Sequence, residues 1–388
     1  MFLIDQEKID YSDPWLVDYS ERIRMLSLKE RRVAYFYEAP DTSTFRYRVY
    51  NMVQTLQSLS ATISASYFFL ADLVNLSEIL ALADTLVICR TRYSSQINYL
   101  ITSARAKNIK VIFDIDDFVF DTAYTQLILN TLDQDISHPH AAWDHWFASI
   151  GRLGATLELC DSAITTNSFL AAQIEKWTGR SAKVVPNYLN KEQLKISEIF
   201  YAQKAQSCFK RKDSFYIGYF SGTPTHNKDF EIVADAISQI LKSRPNVVLR
   251  IVGFIDLKGE IKNHQSQIEF FPLQDFLNLQ GLIAQTEVNL VPLQDNVFTN
   301  CKSELKFFEA AISGTLTVAS PTFTYSKSIR DGENGYLSCS YEWADKINYI
   351  IDNFKLYPEI AAQAHRDVLD SFAWYNQLHA IESALYQS

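Results

Sequence analysis

Two short stretches concentrate the side chains that could do chemistry. The first is VIFDIDDFVFD, residues 111–121, an apolar run that closes on Asp114, Asp116 and Asp117. A D-x-D pair can hold a divalent metal bound to a diphosphate. An aspartate can act as a nucleophile, and a single acid at a strand end can serve as a base or positioning group in a cleft. The plain alternative is a turn that caps the next helix. The second stretch is NVFTNCKSELKFFEAAISGTLTVAS, residues 296–320. Lys302, Lys306 and Glu309 are spaced i, i+4, i+7, so a helix stacks them on one face and turns Leu305, Phe308 and Ile312 to the other. Ser303 falls near the start of that helix, where free backbone N–H groups attract an anion. Two cations for phosphate and a carboxylate for ribose hydroxyls would together hold a nucleotide diphosphate. Taken alone, the same spacing also describes a solvated Lys/Glu face, whose ion pairs contribute little.

These residues need elements to position them. Short β-rich runs alternate with longer helical patterns: Val33–Tyr37, Thr85–Cys89, Lys110–Ile115, Ser162–Thr166 and Lys183–Val185, then, after a break, Tyr216–Phe220, Val247–Val252, Ile268–Phe271, Val288–Val291 and Leu316–Ala319. Several are continuously apolar and β-branched, as in strands buried on both faces of a parallel sheet. Amphipathic stretches such as Asp229–Lys242 and Cys301–Ser313 lie between them. The pattern predicts an α/β protein of two doubly wound, Rossmann-like domains facing across a cleft, with ligands at the carboxyl ends of the strands. The expected divisions are a charged lead-in at 1–30, a first Rossmann-like domain at 31–200, a solvated linker at 201–213, a second Rossmann-like domain at 214–355, and C-terminal helices at 356–388 that cross back to the first domain. The linker carries the charge run Lys210-Arg211-Lys212. Its plain reading is solvation, against a patch touching acidic headgroups.

Composition narrows the chemistry. The chain has 388 residues but only 11 glycines, about half the usual share. No two glycines lie two residues apart, which excludes a G-x-G-x-x-G fingerprint, and there is no phosphate loop of the G-x-x-x-x-G-K-S/T kind. A net charge of −9 argues against general nucleic-acid binding. The five scattered cysteines imply no disulfide framework and fit a reducing compartment. The opening MFLIDQEKID reads as lacking a signal-peptide core, and no apolar stretch reaches the ~18 residues of a membrane span. The expected location is therefore cytoplasmic, with any membrane contact peripheral on the inner face. His138, His140 and His145 lack metal-ligand geometry, so no metal is expected there. The runs Tyr35–Tyr37 and Tyr67–Phe69 read as core.

The second stretch also carries a resemblance. EAAISGTLTVAS, residues 309–320, is similar to the E-A-x-A-x-G-x-P-V-V-A-S segment of family 4 glycosyltransferases. YIGYFSGTPTHNKDF (216–230) and LRIVG (249–253) resemble that family's donor-domain strands. SAITTNSFLAAQIEKWTGRSAKVVPN (162–187) and Phe372-Ala373-Trp374 resemble two further segments, in the same order. The resemblance covers about residues 30–375 and implies a retaining GT-B enzyme that uses a nucleotide sugar. DIDD also resembles the opening motif of haloacid-dehalogenase phosphatases, but Phe118 stands where that family has Thr or Val, and no Gly-Asp dipeptide follows.

Departures from the family refine the expected site. Its Glu-x7-Glu pair reads Cys301…Glu309, leaving Glu309 for the ribose. Lys302-Ser303-Glu304-Leu305-Lys306 fits a K-S-x-L-K-x-x-E version found in transferases that build polysaccharides such as O-antigen. The G-R…K donor motif reads Gly222-Thr223…Lys228, so Lys302 or Lys306 is expected to replace the missing arginine charge. A histidine common after the strand corresponding to Lys110–Ile115 is replaced by Asp116, and a G-G loop by Ser43-Thr44-Phe45-Arg46-Tyr47-Arg48. The implied donor set is Gly222, Thr223, Lys228, Lys302, Ser303, Lys306 and Glu309. Asp116, Lys228 and Lys306 are the implied catalytic residues, and Arg46, Arg48 and Asp117 the acceptor side. The implied reaction moves a hexose or deoxyhexose from a UDP-, GDP- or dTDP-sugar to a glycan or lipid-linked glycan, without metal or cofactor. The alternative is a non-catalytic binding module of this fold.

Overall fold

The computed structural model describes residues 1–5, 8–134, 139–222 and 224–387. Thr223 and His138, both singled out above, lie outside the described residues. The first half builds β1 (Arg31–Tyr37), β2 (Ile63–Phe69), β3 (Thr85–Cys89), β4 (Lys110–Ile115), β5 (Ser162–Thr165) and β6 (Ala182–Val184). The second builds β7 (Phe215–Ser221), β8 (Val247–Gly253), β9 (Ile268–Phe271), β10 (Val288–Val291), β11 (Leu316–Ala319) and β12 (Tyr336–Leu337). They form two six-stranded sheets, ordered β2-β1-β3-β4-β5-β6 and β12-β11-β10-β7-β8-β9. Every pairing of neighbouring strands is parallel. The carboxyl ends of each sheet's strands therefore share one edge.

The central strands are buried end to end, as helices on both faces of a parallel sheet require. Two strands escaped the sequence reading. In β2, Ser64 and Ser66 interrupt the apolar run although both are fully buried, and β12 is only two residues long. The aromatic runs at 35–37 and 67–69 pair in register as β1 and β2 and fill the core between sheet and helices.

Strand order reverses between β1 and β3 in the first sheet and between β7 and β10 in the second. Ligands bind at such switch points, where the loops from two strands diverge and leave a crevice. Arg90 follows β3 and Gln294 follows β10, so both lie at one. Gly253, at the end of β8, adopts φ +97° and pairs with Ser221 at the end of β7. A Cβ there would fall 1.7 Å from the Ser221 carbonyl oxygen. Gly253→Ala is therefore expected to lower stability by about 1–3 kcal/mol and to shift the 221–222 loop, read as a lower urea midpoint.

Several expectations about the joins change. Tyr201–Gln206, assigned to a solvated linker, completes the helix Lys191–Gln206. Its Phe200 and Lys204 are buried, and Lys204 donates to Thr315 Oγ1 at 3.0 Å. Arg211 of the charge run lies 4.8 Å over the Phe354 ring rather than standing free. The lead-in is not merely a charged tail: Phe2 is buried in the second sheet's core, and Trp15 packs on Phe45, Tyr50 and Phe276. At the other end Leu189 bridges to Ala373, and the helix Leu378–Tyr386 packs on the helix Asn51–Leu59 of the first half.

Candidate active site

The two switch points face one another across a charged cleft. On the first-sheet side, Arg90 follows β3 with φ +38°, a backbone conformation that costs a non-glycine residue about 1–2 kcal/mol. Its Nη1 lies 2.8 Å from Asp116 Oδ1 and 3.1 Å from Asp117 Oδ2. Thr44 Oγ1 donates to Asp116 Oδ2 at 2.9 Å. Asp116 is thus gripped on both oxygens yet keeps some exposure to the cleft. Burial pushes the Asp117 carboxyl up, but Lys302 and Arg90 outweigh it and hold the group below the usual carboxylate range.

On the second-sheet side, the helix Asn227–Ser243 starts beside the carboxyl end of β7. Its N-cap residue His226 makes no capping bond; the ring Nδ1 instead meets Asp229 Oδ2 at 3.0 Å. Asp229 is buried, and its Oδ1 accepts from the Gln294 backbone N–H at 3.2 Å and from its side-chain amide at 3.1 Å. Asn289 of β10 donates to the Lys306 carbonyl at 3.0 Å and fixes that turn against the sheet. Lys306 Nζ lies 5.3 Å over the Tyr219 ring. Among the described residues it has no hydrogen-bond or ion-pair partner. Burial pushes its ammonium down to about 8, with Lys302 adding to the effect and Asp229 and Glu309 opposing it. Lys302 Nζ reaches across to Asp117 Oδ1 at 3.7 Å.

Lys302 thus reaches the Asp117 side of the other half, and Lys306 lies close enough to Lys302 to feel its charge. The neighbouring residues need correction. The helix begins at Leu305 rather than Cys301, so Lys302 and Ser303 sit on the preceding turn. Ser303 Oγ accepts from Asn187 of the other half at 3.0 Å, so it joins the halves and opens no helix start to an anion. Cys301 is fully buried in the first sheet's core, and burial pushes its thiol up; it does not face a sugar. Gly222 is exposed on the loop after β7. Lys228 stands at the rim, donating to the Asn130 carbonyl at 2.7 Å with Asp133 at 3.7 Å.

The two arginines assigned to an acceptor are spent inside. Arg48 is completely buried; Nε and Nη2 donate to Asp114 at 2.8 and 3.0 Å, and Nη1 to the Val185 carbonyl at 2.7 Å. Arg46 is buried too, 3.4 Å from Glu309 Oε1 and bonded to Gln193 at 2.9 Å. Tyr47 and Gln193 donate to the same Glu309 oxygen. The second oxygen of Glu309 accepts no hydrogen bond among the described residues. Asp114, the nucleophile of a phosphatase reading, is sealed against Arg48, which removes that chemistry. His140 and His145 stand exposed on the helix Pro139–Leu159. Among the described residues no group of three or more His, Cys, Asp or Glu side chains could hold a metal. Nor is any helix among them long and apolar enough to cross a membrane.

Arg90 and His226 went unnoticed in the sequence. Each directly follows or lies close after an apolar strand at a switch point, and that position was the available signal.

Comparison with known proteins bears on this geometry. A sequence profile of the family described as "Glycosyl transferases group 1" matches residues 214–353. No curated protein sequence matches the chain. Among solved structures, a glycosyltransferase from Rickettsia africae is 14% identical, with TM-score 0.61 over 93% of this chain and 100% of its own. Sucrose-phosphate synthase from Thermosynechococcus elongatus is 15% identical, with TM-score 0.60 over 90% of this chain and 96% of its own. HepE of Anabaena, solved with UDP and glucose, is 14% identical, with TM-score 0.57 over 90% and 98%. Two six-stranded parallel sheets of this strand order, matching these structures along nearly the whole chain, give it the GT-B fold.

Proposed function

We propose that the protein is a glycosyltransferase that moves a sugar from a nucleotide diphosphate sugar to a glycan or lipid-linked glycan. The observation that carries this reading is Lys306, a cation without an ion-pair partner among the described residues, close to Lys302 and to His226 at the start of a helix. Positive groups there offset the charge that develops on a diphosphate leaving group. The profile match over 214–353 and the binding of UDP by the similarly folded HepE support a donor in this half. Glu309 keeps one oxygen available for a ribose hydroxyl, and Lys228, on the first turn of the helix Asn227–Ser243, is assigned to the phosphates. Asp116, held by Arg90 and Thr44, is the group positioned to orient an acceptor hydroxyl or take its proton. We extend the reading to a hexose or deoxyhexose from a UDP-, GDP- or dTDP-sugar, transferred with retention, without a metal or cofactor. We further place it in cell-surface polysaccharide or O-antigen synthesis at the cytoplasmic face of a membrane.

The test is a thermal-shift screen of UDP-, GDP- and dTDP-sugars, followed by mass spectrometry of the product with candidate acceptors. Stabilisation by a nucleotide sugar and a product heavier by one sugar residue are expected. Asp116→Asn should leave donor affinity within about twofold while transfer falls by about 10²–10⁴-fold. Loss of donor binding in that variant would move Asp116 to a structural role.

A further inference from the structure

We infer that His226 is a donor-binding residue that takes up a proton when the diphosphate arrives, so that an imidazolium adds a positive charge on the donor side of the cleft. The inference rests on the proposal that the cleft binds a nucleotide diphosphate sugar. Its grounds are geometric. His226 occupies the N-cap position of the helix Asn227–Ser243, after β7, and its ring is only partly exposed. Nδ1 is committed to Asp229 Oδ2 at 3.0 Å, and Asp229 is itself fixed by two bonds from Gln294 on the β10 loop. The His226 carbonyl accepts from Tyr219 Oη at 3.2 Å, which anchors the residue to the sheet. Ring and backbone are thus both held. Among the described residues Nε2 has no partner. A carboxylate on one ring nitrogen fixes the tautomer and aims the other nitrogen at a ligand.

The charged groups around the ring are Asp229 on its own helix, Lys302 and Lys306 on the turn and helix after β10, and Asp117 after β4. Burial pushes the imidazole down, Lys306 and Lys302 push the same way, and the bond to Asp229 opposes them. The free protein near neutral pH therefore holds a neutral ring, with its proton on the Asp229 side and a bare Nε2. A bare Nε2 repels a phosphate oxygen, whereas Nε2–H donates to it. The two negative charges of a nucleotide sugar favour the protonated form, so binding draws a proton from solvent. The bond formed is Nε2–H···O to a diphosphate oxygen, charge-assisted on both sides.

Isothermal titration calorimetry in buffers of different ionisation enthalpy counts the protons. UDP-glucose and GDP-mannose are the probes, because a diphosphate diester has no group of its own titrating near neutrality. With the wild type at pH 7, uptake of about half to one proton is expected. His226→Gln and His226→Asn should bind about tenfold or more weakly and take up only about a tenth of a proton, the share of Lys306 with its ammonium near 8. The asparagine variant can still meet Asp229, which guards against a variant that misfolds. Unchanged uptake in both variants, or binding without uptake in the wild type, would overturn the role of His226. Absence of any nucleotide-sugar binding in the wild type would overturn the donor reading on which it rests, a separate outcome.

Discussion

Lys306→Ala is expected to lower donor kcat/KM by about 10²–10³-fold while leaving the melting temperature unchanged or raised. The two halves of that expectation have one cause. Lys306 Nζ has no ion-pair partner among the described residues, and burial holds its ammonium near 8, well below the usual 10.5. A charge kept partly dry without a partner costs folding free energy, and removing it returns that cost. The cost is recovered only when an anion enters the cleft, which is how a binding group differs from a structural one. The pH dependence follows with a definite sign. The proton is present below 8 and lost as pH rises through it, so affinity for a nucleotide sugar falls above about pH 8. A bound diphosphate favours the ammonium and moves that fall to higher pH. Lys306→Arg keeps its charge throughout and should remove the alkaline fall while retaining part of the affinity. Donor kcat/KM within threefold of wild type in the alanine variant would end the assignment of this cation to the diphosphate.

The sequence carried the architecture because parallel strands buried on both faces leave a local mark. TLVIC, VNLV and LTVA are apolar or β-branched throughout or nearly so, and each became a fully buried strand. It placed Asp116 just after β4, and Lys302 and Lys306 after β10, because polar residues that follow an apolar strand lie at its carboxyl end, where ligands bind in such folds. It misread Arg46 and Arg48 for an equally physical reason. Two arginines in a row of six residues look like surface, yet Phe45, Tyr47, Val49 and Tyr50 make that turn apolar on every side, and it is buried whole. A buried turn must pair its cations internally. The partners, Asp114 and Glu309, lie 66 and 263 residues away, and no local pattern announces them. Glu309 shows the same limit from the other side. Its place in the motif suggested a ribose contact, while its contacts with Arg46, Tyr47 and Gln193 exist only once the two halves meet.

Arg48→Met is expected to destabilise the protein by about 3–5 kcal/mol, because it strands the Asp114 carboxylate in the core with neither water nor a counter-ion. For a domain of this size that is a fall in melting temperature of roughly 6–20 °C. An arginine that served an acceptor would behave in the opposite way, with stability unchanged and acceptor KM raised, so thermal melting separates the two roles. Removing both charges discriminates further. In Arg48→Met with Asp114→Asn no ionised group is left unpaired, and the double variant should recover a good part of the loss, with a coupling of ~1–3 kcal/mol. Without recovery, the loss would belong to the bonds from Arg48 to the Val185 carbonyl and Asn187 Oδ1, at 2.7 and 3.2 Å, and not to the ion pair. The pair also reaches the site, since Asp114 lies on β4 two residues before Asp116. Arg48 Nε and Nη2 hold both Asp114 oxygens and so fix the strand end from which Asp116 and Asp117 project. Any double variant that refolds should therefore still transfer more slowly than wild type with donor affinity unchanged, the signature of a displaced Asp116 beside an intact donor half.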